Sequence, residues 1–467
     1  MKNIVFSQNA SDLESDIETA IGYYIRVVGD HQGIFLESVD VDGRWGTYSI
    51  IATDFILTAR CIKGKLHVTV ADEELSSLTD FNGMRFDEGL RQLMERIHIE
   101  PEMKTPFPPI TRALYGFLGY GIAGLFIRKL EEHLPSDEAE AVLALPGHII
   151  LFDHVYNRIT RLDLTLKGRA PLCLPSVLAP AEHRSSDGQN HLNSRQAFVD
   201  AVKDAKELIR QGEALQIVLS TSFQAPLAEG PFSLYRRLRQ INPSPYMFFM
   251  RLPDITLLGS SPEVMVSCSD NVLKLCPIAG TRPRSQDKVE DAFFGDDLLQ
   301  DPKEKAEHAM LVDLGRNDLG RIAKPGTVQV ERFMEVERFS HVMHLTSRIK
   351  ADLNPEYGVV DIIEATLPAG TVSGAPKVRA MEIIAEAEKS SRGPYAGAIG
   401  WLGLDKVKVN LDLGITIRSL WIRGGHITWQ VGAGIVYDSD PEKEWEECLN
   451  KSAVIRKVVY GDETFHE

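Results

Sequence analysis

The chain has 467 residues, 43% hydrophobic and 25% charged, enough for two or three domains or for one large catalytic domain under an N-terminal layer. A formal net charge of −15 argues against a nucleic-acid surface, because phosphate binding needs a basic footprint. Five scattered cysteines, Cys61, Cys173, Cys268, Cys276 and Cys448, include no CxxC pair, which argues against a disulfide framework or zinc site and suits a reducing compartment.

The N-terminus turns polar and acidic too soon for a signal peptide. The longest apolar stretch, 113–126, is broken by glycines and is shorter than a membrane span. The expectation is a soluble cytoplasmic protein with no membrane or nucleic-acid partner.

In chain order, Asp12 is expected to cap a helix over Leu13–Val28. Strands follow at Ile34–Ser38, Arg44–Ile51 and Lys65–Val70, with Gly64 in a turn before the last. His148–His154 and Arg158–Leu166 read as a hairpin. From Gly168 to about Ser194 the composition turns to Pro, Ser, Ala and polar residues, which marks a boundary between an N-terminal region (1–180) and a second domain (190–460). Phe198, Val202, Ala205 and Ile209 then recur at helical spacing, with Gly212 at the C-terminal end.

Gln216–Ser220, Thr256–Gly259, Val264–Cys268, Val272–Cys276, Ile415–Ile422 and His426–Val431 read as strands. Lys303–Leu314, Gly358–Thr366, Lys377–Ala387 and Pro441–Val459 read as helices. Strands in meanders with long helices interspersed give an α+β class, a large sandwich of mainly antiparallel sheets.

Two carboxylate pairs stand out. Glu304 and Glu307, like Glu444 and Glu447, lie three apart on a predicted helix and so share a face. Two such faces brought together suit a hard divalent cation. Pairs of this kind are also common on solvated helices, where Lys303, Lys305 or Lys443 would neutralise them.

Longer motifs decide between these readings. Pro277-Ile278-Ala279-Gly280-Thr281-Arg282 resembles the PIxGTR segment of the chorismate-utilising enzymes. Residues 304–318, EKAEHAMLVDLGRND, and 440–451, DPEKEWEECLNK, resemble that family's two metal-holding helices. Ser260-Ser261-Pro262-Glu263 matches its SPE element, and 368–377, PAGTVSGAPK, its glycine-rich loop. The resemblance runs from about Leu36 to Ala453.

It implies Mg²⁺ on Glu304, Glu307, Glu444 and Glu447. Glu263 would be the acid that protonates the departing ring hydroxyl, a step needing a carboxyl held partly protonated. His344 would help the later loss of pyruvate, and Thr281 would join the catalytic group. Gly280, Thr371, Tyr395, Arg418, Gln216 and the Gly432-Ala433-Gly434 turn would bind substrate, with the Arg418 fork gripping a carboxylate.

Two positions select the branch. Where one branch carries a nucleophilic lysine this chain has Ala279, and where the water-using branches carry a lysine it has Gln216. Glutamine is no base near neutral pH. The chain is therefore most similar to the anthranilate synthase component I branch, in which ammonia attacks chorismate directly. Ser419 in place of threonine, and a longer spacing from Tyr395 to Arg418, depart from the pattern.

The resemblance further implies a tryptophan effector pocket. Leu36-Glu37-Ser38 with Gly43–Ser49, and Asn242–Phe249, would supply Glu37, Ser38, Pro245, Tyr246 and Met247. No cysteine sits in a Gly-x-Cys-x-Gly turn, so ammonia would come from a glutamine amidotransferase subunit, in a heterotetramer of two large and two small subunits. An aminodeoxyisochorismate synthase that retains pyruvate, or an idle tryptophan-binding subunit, would share most of these motifs.

Overall fold

The computed structural model describes residues 3–14, 18–38, 46–101, 105–134, 140–167, 192–339 and 342–461. Its strands join into one hydrogen-bonded network, with helices interspersed among them. Among the described residues one pairing is parallel, Ile4–Leu13 with Ile97–Glu100, and all others are antiparallel. This is the mixed α and β architecture expected of the sequence. The boundary expected at 168 to about 194 lies almost wholly outside the described residues, as do Gly43, Arg44 and Trp45.

One strand ties the first part of the chain to the rest. Gly33–Glu37 pairs with Tyr48–Ile62 on one side and with Tyr246–Leu252 on the other. Tyr246–Leu252 in turn pairs with Ile255–Ser261, which leads directly to Glu263. Every residue of Gly33–Glu37 except Leu36 is buried, so its alternating side chains feed two cores. Phe35 packs with Tyr24, Tyr235 and Phe249, while Ile34 joins the larger cluster containing Leu57, Phe117 and Leu413.

Several local expectations change. Asp12 caps no helix: Ile4–Leu13 is a strand, paired with Arg158–Leu166, and Asp12 binds Arg158 at 2.7 Å. The helix begins at Ala20, where the Thr19 side chain accepts from the Gly22 amide. The helix Lys288–Gln300 was not foreseen, because its buried positions form no regular apolar stripe. Asp287 starts it by accepting from the Val289 and Glu290 amides.

The strand expected over Ile415–Ile422 is two strands, Leu411–Ile415 and Ser419–Arg423, broken at Arg418, whose φ is +48°. Conversely, the expected turn at Gly432-Ala433-Gly434 lies inside the strand His426–Ile435, paired residue by residue with Gln216–Pro226. Pattern reading missed both because φ at a non-glycine residue, and the glycines of a packed strand, are set by neighbouring strands.

Candidate active site

The two breaks face each other. Ile255–Ser261 pairs with Ser419–Arg423, and Val264–Ser269 pairs with Leu411–Ile415, so Pro262-Glu263 and Thr416–Arg418 interrupt both strand pairs at one level. The breaks are cross-linked by backbone: Ile415 N–H donates to Glu263 O at 2.9 Å, and Ser260 N–H to Arg418 O at 3.1 Å.

Protein surrounds Glu263 although some of its surface stays accessible, as expected for the floor of a cleft. Burial pushes its carboxyl up to about 7, against the smaller opposing pulls of Thr371, Arg418 and Lys451. The Thr371 hydroxyl is near enough to act on Glu263 yet completes no hydrogen bond of normal geometry, so its buried Oγ1 has no partner. Arg418 is exposed by area but crowded by protein, the condition of a side chain lining a concavity.

A second arm carries His344. The pairing of Ile278–Pro283 with Val342–Asp352 slips between Ala279 and Arg282, and Gly280 takes φ +63° at the slip. A side chain there would also collide: an added Cβ would stand 2.8 Å from Leu298 Cδ1 and 2.9 Å from Glu304 Oε2. The freed Gly280 carbonyl accepts from His344 Nδ1 at 2.7 Å, with Thr281 Oγ1 3.2 Å from the same nitrogen. Burial lowers the His344 pKa. The ring is therefore neutral near pH 7 with its proton on Nδ1, which leaves Nε2 as a base. Ala279, the residue before, is buried and offers only a methyl group.

The glutamate pairs lie on Pro302–Gly320 and Pro441–Tyr460. Burial raises the Glu304 carboxyl, and repulsion from Glu307 adds to it. Burial likewise raises Glu444; the Ser439 hydroxyl opposes the shift and Glu447 adds to it. Lys303, on the first helix, acts on Glu444 of the second, so the two helix starts lie within electrostatic reach of each other. Glu447 pairs with Lys451 at 2.7 Å, and Lys451 also donates to Gly432 O at 3.0 Å. Among the described residues no three His, Cys, Asp or Glu side chains converge tightly enough to form a metal site. What the structure offers is two mutually repelling pairs in which Glu304, Glu307 and Glu444 are half-buried and Glu447 is exposed. Their donor chemistry fits a hard cation that completes its shell with water or substrate oxygen.

The remaining expected residues gather around Gln216–Pro226. Gln216 Nε2 donates to Glu307 Oε1 at 3.0 Å. Gly432, Ala433 and Gly434 lie opposite Ser220, Leu219 and Val218. Their role is clearance: a Cβ on Gly432 would stand 2.8 Å from the Tyr395 hydroxyl, and one on Gly434 would stand 2.5 Å from Gln216 Nε2. The site thus collects Glu263, Arg418, Thr371, His344, Gly280, Gln216, Tyr395 and the four glutamates onto linked elements.

A family model described as chorismate binding enzyme matches residues 53–457. Anthranilate synthase component 1 of Thermus thermophilus is 38% identical over 464 residues, covering 95% of this chain and 96% of its own. This chain belongs to the anthranilate synthase component I family. The family's Aquifex aeolicus protein is 35% identical over 481 residues, 96% of this chain and 94% of its own. The crystal structure of anthranilate synthase component I from Streptococcus pneumoniae superposes with a TM-score of 0.74 at 34% identity, covering 96% of this chain and 100% of that one. The menaquinone-specific isochorismate synthase of Escherichia coli, 20% identical with a TM-score of 0.70 over 98% of this chain and 95% of its own, shares the fold.

In this component I family member, sequence reading missed a buried ion pair behind the cleft. Arg392 donates to Glu388 at 2.6 and 2.8 Å and also to the Val372 and Val218 carbonyls. Glu388 accepts in addition from Ser220 N–H and Oγ, at 2.8 and 2.7 Å. Arg392 stacks on the Tyr120 ring at 4.6 Å and faces Tyr395 at 5.7 Å, so it fixes the tyrosine at the cleft edge. The only sequence signal was the Arg392 that opens the Arg-Gly-Pro-Tyr stretch.

The residues expected around an effector are partly brought together. Glu37 lies opposite Met247 in the strand register, and Tyr246 lies opposite Ser261, two residues before Glu263. Glu37 accepts from the Tyr235 hydroxyl at 2.8 Å and from Arg239 at 2.8 and 3.2 Å. It lines a cavity of about 480 Å³ together with Thr19, Phe152, His154 and Arg236; Ser38, Pro245, Tyr246 and Met247 are not among the lining residues. Tyr246 points to Asp412 instead, donating to it at 2.7 Å. Ser38 is held by the Gly46 N–H donating to its carbonyl at 2.6 Å. Among the described residues no helix is long and apolar enough to cross a membrane.

Proposed function

We propose that the chain aminates chorismate and eliminates pyruvate, forming anthranilate as the large subunit of an anthranilate synthase at the first committed step of tryptophan synthesis. The observation that carries this reading is Glu263: an acid poised at about 7, level with Arg418, in a site whose nucleophile positions hold only Ala279 and Gln216.

Ammonia adds at C2 while the C4 hydroxyl leaves. Glu263 gives that hydroxyl its proton, Arg418 and Tyr395 hold the pyruvyl carboxylate, and Thr371 presents its unpartnered hydroxyl to the substrate. In the second step the C2 proton and pyruvate depart. His344 Nε2, fixed as a base by the Gly280 carbonyl, is the group we assign to it, with Thr281 beside it.

Glu304, Glu307, Glu444 and Glu447 would hold Mg²⁺, directly or through water. When bound, the ion supplies positive charge to the ring carboxylate and to the charge that develops as the hydroxyl departs. Ammonia would come from a glutamine amidotransferase subunit, two of each subunit forming a heterotetramer. Tryptophan would act from the N-terminal region (1–180) on the chemistry in 190–460, through the Glu37–Met247 and Tyr246–Ser261 strand registers. The free thiols of Cys61, Cys268, Cys276 and Cys448 suit the cytoplasm.

The test is incubation of the purified chain with chorismate, Mg²⁺ and ammonium at alkaline pH, following anthranilate fluorescence and product mass. Fluorescence that disappears with chelator and returns with Mg²⁺ is the expected result. A non-fluorescent aminated product still carrying its enolpyruvyl group would reassign the chain to aminodeoxyisochorismate formation. No turnover, with tryptophan still bound, would make it an idle regulatory subunit.

A further inference from the structure

The glycine-rich loop is seated on one face of the helix Pro302–Gly320. Leu314 and Asp318 lie one turn apart there and so point the same way. Gly370 rests on the first of them: an added Cβ would stand 2.8 Å from Leu314 Cδ1. Lys377 Nζ donates to the second, at 2.8 Å from Asp318 Oδ2, and both side chains are mostly buried. Thr371 stands between these two contacts, in the turn Gly370–Val372. Glu263, Thr371, Leu314 and Asp318 line a single cavity of about 40 Å³. The rest of the loop is tied to other elements. Arg392 donates to the Val372 carbonyl at 2.8 Å, and Gly374 and Ala375 pair with Ile217 and Gln216. Burial raises the Asp318 carboxyl and the Lys377 ammonium opposes the shift, so the pair is costly to break from one side.

The pair does not act on Glu263 directly. The groups that pull on the acid are Thr371, Arg418 and Lys451. The Cys276 thiol faces it too, but is pushed up to about 11 and stays uncharged. Of these groups Thr371 is the one carried by the loop. Its hydroxyl reaches the acid without completing a hydrogen bond of normal geometry, so its pull changes steeply with small displacements.

We propose that the Asp318–Lys377 pair is a positioning element for the acid, holding the loop so that the Thr371 hydroxyl stays against Glu263. This rests on the reading of Glu263 as the acid and adds two residues that act through Thr371. An ion pair that merely stiffened the fold would change stability and rate, and would leave the titration of the acid where it was.

The experiment records kcat/KM for chorismate against pH in the full chain, at constant free ammonia and saturating Mg²⁺. Wild type comes first. If no aminated product forms, or if no decline appears above about 7, the reading of Glu263 fails and this inference falls with it. Given that decline, Thr371→Val removes the pull of the hydroxyl and should move the falling limb up by about 0.5–1 unit, the size of one hydrogen bond. Lys377→Met should move it the same way by a similar amount. Combined with Thr371→Val, it should move the limb no further than Thr371→Val alone. Lys377→Arg keeps a cation on Asp318 and should keep the wild-type limb.

A limb unmoved by either Thr371→Val or Lys377→Met overturns the inference. So do shifts that add in full, since the pair would then reach Glu263 by another route. An equal shift with Lys377→Arg overturns it as well, because the ion pair would not be the cause. Should Lys377→Met fail to fold by thermal melt, Asp318→Leu combined with Lys377→Met decides. It removes both charges together, which costs far less than stranding one, and the same upward move is expected. Its absence overturns the inference.

Discussion

Glu388 and Glu263 are both glutamates surrounded by protein, and they differ in their company. Glu388 receives four hydrogen bonds, two from Arg392 and two from Ser220, all between 2.6 and 2.8 Å. Glu263 has the Thr371 hydroxyl beside it and the charges of Arg418 and Lys451 at longer range. Close hydrogen-bond donors enclose the Glu388 carboxylate, whereas burial raises the Glu263 carboxyl against the weaker pulls of its neighbours. The first is a fixture that shapes the wall behind Tyr395. The second is left short of partners, so it keeps a proton that it can give away. Burial alone therefore does not identify an acid; burial without compensation does.

The sharpest way to break the comparison is to remove the acid. Glu263→Gln keeps the shape and loses the proton, so kcat for chorismate consumption should fall by about 10²–10⁴ with the melting temperature unchanged or raised. An equally active variant would end the assignment. The matching change behind the wall, Arg392→Gln, should act on stability. It strands Glu388 without its counter-charge, at a cost of about 3–5 kcal/mol in urea unfolding.

Gly280→Ala probes the joint between the two arms. Its positive φ and the close Leu298 and Glu304 atoms predict a loss of about 1–3 kcal/mol, with a weaker Mg²⁺ dependence curve as Glu304 is displaced.

The smallest effect is the pH response. The Glu263 carboxyl, raised to about 7, is mostly protonated below that pH and loses about tenfold per unit above it. At constant free ammonia, kcat/KM for chorismate should therefore decline as pH rises past about 7. In stability the sign follows the same shift. With the folded pKa above its ordinary value of 4.5, the contribution of Glu263 is complete below that value and is lost as pH rises through about 7. Glu263→Gln should remove this slope in denaturant titrations across that window, and a slope that persists would place the titrating group elsewhere.

Much of this was legible in the chain itself. The strands Lys65–Val70 and Arg158–Leu166 fall at the residues their alternation predicted, and the helix Lys377–Glu388 within one residue, because each buries a regular face. The branch chemistry was readable at Ala279 and Gln216, since the absence of a nucleophile or base is a property of residue type. The glutamate pairs were readable from helical spacing.

The sequence alone thus determined which functional groups the chain possesses and the periodic elements that carry them. The tertiary structure decided which groups are partnered. It broke a predicted strand at Arg418 to face a second break at Glu263, and it ran a predicted turn, Gly432–Gly434, straight along Gln216–Pro226. It also paired Glu388 with Arg392 while leaving Glu263 and Gln216 Oε1 wanting. The physical reason is that local pattern records burial and period, which are properties of one segment. Compensation of a buried charge or carbonyl depends on atoms that come from segments far apart in the chain.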